Sequence, residues 1–161
     1  ITAQNLIRRL SETELAELLW KYGEERWSRR IARAILKEKK GVGIISTRQL
    51  AAIVERVVPR GKSKIHPATR VFQALRIAVN KELDNLEIFL DKIYNYMAVG
   101  ARIVIISFHS LEDRIVKSKF IEMAKKNIFR VLTKKPITPH ESEMGENIRS
   151  RSAKLRAAER I

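Results

Sequence analysis

The chain of 161 residues contains no cysteine. That excludes a disulfide framework and every thiolate metal site, and it fits a cytoplasmic setting. No apolar run approaches the roughly 18 residues a membrane-spanning helix needs, so no membrane partner is expected. No secretory leader is visible. The first residue is Ile1 rather than Met, which predicts a processed, trimmed or incomplete chain. Only six glycines occur, and none builds the glycine-rich loop that cradles a phosphate or cofactor at a strand end. The three histidines, His66, His109 and His140, lie far apart and lack helical ligand spacing, so no metal site is expected. Acidic residues are also scarce: 18 Asp+Glu stand against 33 Lys+Arg, a net charge of +15. Such an excess favours a polyanionic partner, most simply nucleic acid. The plainer reading is a basic solubility surface.

What is present suits a globular protein. Hydrophobic residues make up 45%, and the length allows one good core or two small ones. Ser11-Glu12-Thr13-Glu14 has the spacing of a capping box. It opens a helix with Leu15, Leu18, Leu19 and Tyr22 on one face and Gly23 at its close. Trp27, Ile31, Ala34 and Ile35 mark a second helix, and Gly41-Val42-Gly43 breaks it. Ser46-Thr47-Arg48-Gln49 repeats the capping-box spacing before Leu50, Ile53, Val54 and Val57. Pro59 to Lys64 reads as a loop. From Pro67 one helical pattern, bent at most, runs through Phe72, Leu75, Ile77, Val79, Leu83, Leu86, Leu90 and Ile93.

After Gly100 the pattern changes. Ile103 to Phe108 has the length and branching of a buried strand. A helix face follows at Leu111, Ile115, Val116, Phe120 and Met123, then a strand over Ile128 to Leu132 and a loop over Thr133 to Ile148. Ser152 to Ile161 reads as a last strand, with Leu155, Ala157 and Ile161 facing inward. The expectation is a helical module over 1–65, then a long helix leading into a strand–helix–strand–strand segment. Three strands do not make a doubly covered sheet, so the sheet reads as part of a larger one.

The densest chemistry lies in Ser107-Phe108-His109-Ser110-Leu111-Glu112-Asp113-Arg114, at the C-terminal end of the first strand. That is where open α/β sheets place their ligand sites. Ser110 and Asp113 have the spacing of a helix cap, a structural reading that stands beside a catalytic one. His109 falls between strand and helix, where the helix N-terminus favours neutral imidazole. It either bonds a substrate base or ties down the loop. No glycine flanks Ser107 or Ser110, which argues against a hydrolase nucleophile elbow.

Candidate nucleic-acid contacts are basic. No acid occurs between Arg56 and Lys81, a stretch holding Arg60, Lys62, Lys64, Arg70 and Arg76. The loop cations suit phosphate, while Arg70 and Arg76 have the alternative of pairing with acids elsewhere in the fold. Arg26, Arg29, Arg30 and Arg33 form either a solvated face or an RNA contact. Trp20 and Trp27 read as core residues, with base stacking as the alternative. Arg149 and Arg151 sit in a small, hydroxyl-rich run that suits either a phosphate-binding turn or an exposed loop before an edge strand.

Four blocks carry a resemblance. His66-Pro67-Ala68-Thr69-Arg70-Val71-Phe72-Gln73-Ala74-Leu75-Arg76-Ile77, continued by Val79-Asn80-Lys81-Glu82-Leu83, resembles a signature of the 16S ribosomal RNA cytosine-N4 methyltransferases, the MraW/RsmH family. Ile105 to Lys117 resembles a second signature. Tyr22-Gly23-Glu24-Glu25-Arg26 with Arg29 to Ile35 resembles a third, and Asn147 to Arg160 a fourth. The blocks are ordered and span nearly the whole chain, which resembles the C-terminal half of the family.

The resemblance implies an α/β fold: the C-terminal part of a Rossmann-like S-adenosylmethionine-dependent methyltransferase sheet plus an all-helical inserted domain. In that scheme 1–65 is the helical insertion that recognises RNA, and 66–161 returns to the catalytic domain. The implied partner is 16S ribosomal RNA in the small ribosomal subunit, with a homodimer left open. The implied cofactor is S-adenosyl-L-methionine. Its binding residues are unknown and expected in the N-terminal half, which this chain lacks, so the chain alone is expected to be inactive. By position, His109, Ser110 and Glu112 are the expected catalytic residues lining the cytosine pocket. Arg26, Arg29, Arg30, Arg33, Arg60, Lys62, Lys64, Arg70, Arg76, Arg149 and Arg151 are the expected RNA contacts. Ala101 stands where the family usually has a second glycine, and Ile148 where it usually has proline. The competing readings are a non-catalytic helical RNA-binding module with a vestigial sheet and a DNA-binding helix-turn-helix protein.

Overall fold

Ser11 and Ser46 start helices as the sequence predicts, and Thr2 starts one that it does not mark. The computed structural model describes residues 2–39, 46–59 and 65–161. Thr2 caps α1 (Ala3–Arg9). Ser11 and Glu14 form a reciprocal capping box on α2 (Glu12–Gly23): Ser11 Oγ accepts from the Glu14 N–H at 3.3 Å, and the Glu14 carboxylate accepts from the Ser11 N–H at 2.8 Å. Ser46 caps α4 (Thr47–Val57) by accepting from the Gln49 N–H. Between them lies α3 (Ser28–Lys39), and α5 follows (Thr69–Asn80). Apolar residues three or four apart put one face of each longer helix into a common core. Leu15, Leu19, Ile31, Ile35, Ile53, Val54 and Val71 are all fully buried there.

Gly23 does not stop α2 in the way expected. It is the last helical residue, and Glu24 takes the left-handed conformation with φ 48°. Glycine is needed for a different reason. A Cβ on residue 23 would lie 2.6 Å from the backbone carbonyl oxygen of Arg70 on α5. The missing side chain lets the two helix backbones meet.

The chain divides by compactness between Glu82 and Leu83. This is later than the expected boundary after residue 65, because α5 packs on α2 and adds Val71, Ala74 and Leu75 to the helical core. Nor is there one helix from Pro67 to Ile93. Lys81 is left-handed, with φ 53°, and separates α5 from α6 (Glu82–Lys92). A 3₁₀ turn at Ile93–Tyr96 follows.

The second unit mixes helices with a small sheet. Its strands are β1 (Arg102–Ser107), β2 (Phe129–Val131) and β3 (Lys154–Arg160), with α7 (Ser110–Lys125) between the first two. The spatial order is β1-β3-β2, and β3 is antiparallel to both neighbours. The last strand, for which an edge position was one of two readings, is therefore the middle one. The 133–148 loop contains a short helix, α8 (Glu141–Glu146), and a 3₁₀ turn covers Ile148–Ser152.

One sheet face packs on α7, where Ile103, Val116, Phe120, Met123, Phe129 and Ala158 form the core. The Phe120 and Phe129 rings meet edge to face with centroids 6.0 Å apart. Of the expected inward residues of the last strand, Ala157 is buried and Leu155 half-buried, while Ile161 is exposed. Arg156, paired in register with Ile105, and Ala158, paired with Ile103, point toward α7, and Ile161 is 49% exposed. Arg156 is only 5% exposed because Asp113 on α7 receives it: Nε donates to Oδ1 at 2.6 Å and Nη2 to Oδ2 at 3.2 Å. On the opposite face, Glu159 stands between Arg102 and Arg130 and pairs with both.

β1 was expected to be buried on both faces. Instead Val104 is 56% exposed, Ile106 53% and Phe108 55%. Among the described residues nothing in this unit covers that apolar face, and β1 pairs only with β3.

Two stability outcomes follow. Asp113→Ala should cost about 3–5 kcal/mol in urea unfolding of the chain, since it strands a buried guanidinium. The double change Asp113→Leu with Arg156→Met should recover most of that loss. The Arg156 guanidinium holds the Asp113 carboxyl below the usual carboxylate range. A carboxyl whose folded pKa is depressed contributes stability above its unfolded pKa of about 3.9, and that contribution is lost as pH falls through the folded value. The acid slope of stability should therefore be shallower in Asp113→Asn, and an unchanged slope would count against the pair. Gly23→Ala should destabilise the helical unit by roughly 1–3 kcal/mol from overpacking, outweighing about 1 kcal/mol of helix propensity. A raised melting temperature would contradict the close approach.

Candidate functional site

The branched run Ile103 to Ile106 forms β1, and the chain turns at its C-terminal end into α7. Ser107 is the last strand residue, and its side chain is buried. Among the described residues, its hydroxyl has no hydrogen-bond partner. Phe108 is exposed, and His109 is the N-cap of α7.

The cap sits one residue earlier than the Ser110–Asp113 spacing suggests. His109 is extended, with φ −144° and ψ 165°, and its Nδ1 accepts from the Glu112 N–H at 3.3 Å. That nitrogen therefore carries no proton, which leaves the proton of neutral imidazole on Nε2. Nε2 lies 3.4 Å from the Glu112 carboxylate, whose other oxygen accepts from the Phe108 N–H at 2.9 Å. Histidine and glutamate three apart thus resemble the serine and glutamate at the start of α2, except that Glu112 accepts from the residue before the cap rather than from the cap itself. Ser110 is the first helical residue of α7, and Asp113 is the buried partner of Arg156. Asp113 is neither a cap nor a free acid. The structure brings His109, Ser110 and Glu112 into one turn, and the first and third of them hold that turn together. The two open readings of His109 resolve as far as its Nδ1 is concerned, because that atom ties down the loop.

The basic candidates do not form one group. Arg26, Arg29, Arg30 and Arg33 are exposed along one side of the α2–α3 region. The Arg26 guanidinium lies over the Trp27 ring, 5.5 Å from its centroid. Arg33 pairs with Glu12 at 3.2 Å. Arg70 reaches the Glu24 carbonyl at 3.4 Å. Arg76 makes a bidentate pair with Glu82, which bears out its structural reading. Arg149 and Arg151 are exposed in the 3₁₀ turn before β3. Arg60, Lys62 and Lys64 lie outside the described residues, as do Gly41, Val42 and Gly43.

Sequence reasoning missed two features of the helical unit. Trp20 is not a core residue: it is 62% exposed on α2. Trp27 is partly buried against the helical core. Glu25 is buried, and its carboxylate accepts from the Trp27 N–H at 2.9 Å. The signal that could have exposed Trp20 is its phase, since it falls one residue past the Leu15–Leu19 stripe.

The chain matches the MraW methylase family over residues 1–161. It is 49% identical over its whole length to a protein of Cyanothece named ribosomal RNA small subunit methyltransferase H, covering 53% of that protein. Proteins of the same name from Nostoc punctiforme, 53% identical, and Acaryochloris marina, 51% identical, are each matched by the whole chain over 53% of their length. The chain thus spans about half the length of the relatives it matches.

His109→Ala should lower stability by about 1 kcal/mol through loss of the cap. His109→Asn, which restores a capping oxygen, should recover it in thermal melts. A His109→Asn protein as unstable as His109→Ala would show that the ring acts by more than its Nδ1 acceptor.

Proposed function

The chain belongs to the MraW methylase family, and from that premise we propose that it is the RNA-facing, sheet-completing part of a cytoplasmic methyltransferase. That enzyme transfers a methyl group from S-adenosylmethionine to the N4 amine of a cytosine in 16S ribosomal RNA. The observation that carries this reading is the polar turn at the C-terminal end of β1, the ordinary ligand position of an open sheet, in a chain whose full length matches that family. Residues 1–65 correspond in this reading to a helical insertion, and 66–161 to the return into a Rossmann-like domain, with α5 still packed on the helical core as the chain leaves it. The sheet continues across the free edge of β1. A non-catalytic RNA-binding module is not favoured, because the family match runs through the sheet as well as the helices.

The residues of this chain do not suit the cofactor's cradle. The strand-to-helix turn spends its Phe108 and Glu112 N–H groups on its own side chains. Of the glycines described, Gly23 sits at a helix–helix contact, Gly100 in a turn and Gly145 within α8. We therefore assign the cofactor contacts to the half of the family's length that this chain does not match.

What remains for this half is the substrate. The cytosine N4 lone pair is delocalised into the ring, so the amine needs fixed placement and acceptors for its hydrogens more than a strong base. The base must also leave its stack. We assign the Ser110 hydroxyl and the Glu112 carboxylate as the acceptors lining the pocket, with His109 holding the turn that presents them. Arg26, Arg29 and Arg30, together with Arg60, Lys62, Lys64, Arg70, Arg149 and Arg151, are proposed to hold RNA phosphates. Arg33 and Arg76 contribute less, being paired with Glu12 and Glu82.

Titration calorimetry of this chain with S-adenosylmethionine should show no saturable binding, and saturable binding would overturn the division of labour. The protein carrying both halves of the family's length should methylate 16S ribosomal RNA and lose that activity in Glu112→Gln. Lys62→Glu with Lys64→Glu should weaken RNA binding and reduce the slope of log K against log salt by about one per lost phosphate contact. An unchanged slope would remove those lysines from the interface.

A further inference from the structure

Between α2 and the start of α3 lies a groove of about 640 Å³, a size that admits a nucleotide-scale ligand. Trp20 on α2 forms part of its wall and leaves 62% of its surface in water. Trp27 lines the groove as well, with the planar Arg26 guanidinium over its ring. The opposite side carries Arg29 and Arg30, and among the described residues neither of them pairs with a carboxylate. Two glutamates also line the groove. Glu12 is already neutralised by Arg33, which leaves Glu17 against Arg26, Arg29 and Arg30.

The indole adds exposed aromatic surface to a helix whose apolar stripe is already complete without it. Its neighbours decide what it is for. A flat aromatic face beside unpaired, planar cations is complementary to one chemical unit, a flat base attached to a phosphate. A base inside a duplex shows no free face, so the fitting ligand is an unpaired nucleotide. We propose that this groove binds an unpaired nucleotide of the RNA substrate, with the base stacked on Trp20 and its flanking phosphates on Arg29 and Arg30. The inference rests on the RNA-binding reading above and adds a site remote in sequence from the β1–α7 turn. Phosphates lie on the α3 side, away from Glu17, which sits one turn before Trp20. The groove thus selects single-stranded RNA by stacking, which every base supports, and not by base-edge reading.

The chain has only two tryptophans, both in this groove, so indole fluorescence reports it directly. The probes are a ten-nucleotide oligocytidylate and an RNA duplex of equal length, titrated into the whole chain carrying Trp27→Phe. The single strand should quench Trp20 and the duplex should not. Trp20→Ala should weaken binding of the single strand by roughly 5- to 100-fold, read by anisotropy of labelled RNA. Trp20→Phe should restore most of it. The exposure of Trp20 makes loss of fold a poor explanation, and circular dichroism of each variant checks it. Trp20→Ala binding within twofold of the parent would overturn the stacking site. If Arg29→Glu with Arg30→Glu then still abolished binding, the RNA-binding reading would stand without the stack. RNA binding to none of the proteins would sink both readings. Quenching by an acidic peptide but not by RNA would reassign the groove to a protein partner and overturn the proposal.

Discussion

The Asp113–Arg156 pair ties the second unit together. Asp113 sits in the first turn of α7, and Arg156 sits at the centre of the middle strand. Their two hydrogen bonds fix the start of the helix against the sheet. The β1–α7 turn, the two residues Phe108 and His109, is left no slack by this contact. Were the helix start to shift, the His109 and Glu112 bonds to the backbone would shift with it. A buried charge pair is a poor source of net stability, but it tolerates few alternative registers. At the foot of a ligand-binding turn, such intolerance is useful.

The helical unit is organised by a different constraint, the segregation of charge. Leu15, Leu19, Ile31 and Ile35 bury one side of α2 and α3, while the other side carries the arginines. Three of the candidate cations fall on this side because α3 repeats Arg at 29, 30 and 33 in phase with its polar face, and Arg26 joins them from the turn before it. Among the eight candidate cations that are described, two have bidentate or close acidic partners, Arg76 with Glu82 and Arg33 with Glu12. The count of 33 basic residues therefore overstates the cations open to a polyanion, and among the described candidates Arg26, Arg29 and Arg30 lie together near Trp20 and Trp27.

Local signals were legible where one rule decided the outcome. The Ser11–Glu14 box, the Ser46 cap, the branched run of β1 and the stripe of α7 could each be read from a few residues. The family relationship was legible for the same reason, in four contiguous blocks, and the match over residues 1–161 bears it out. What could not be read depended on residues distant in sequence. Arg156 looks outward by composition and is buried only because Asp113 lies 43 positions away. Gly23 looks like a helix stop and is instead a contact with residue 70. Trp20 looks like core by residue type, and its phase on α2 decides otherwise. At the candidate site the cap was misread by one position, because histidine is an unfamiliar N-cap and Ser110 a familiar one.

The strand order has a consequence for how the sheet comes into being. β1 and β2 never touch as strands, and each waits for β3, residues 154–160, to supply its hydrogen bonds. Pairing of β1 with β3 closes a loop of about 50 residues, so the contacts are non-local and their formation is slow compared with the helices. A chain still emerging from the ribosome can build α2 and α3 early, but its sheet has no middle until residue 160 has been made. Loss of those few residues would split the sheet down its centre and leave two orphan strands, where trimming an edge strand would only narrow it.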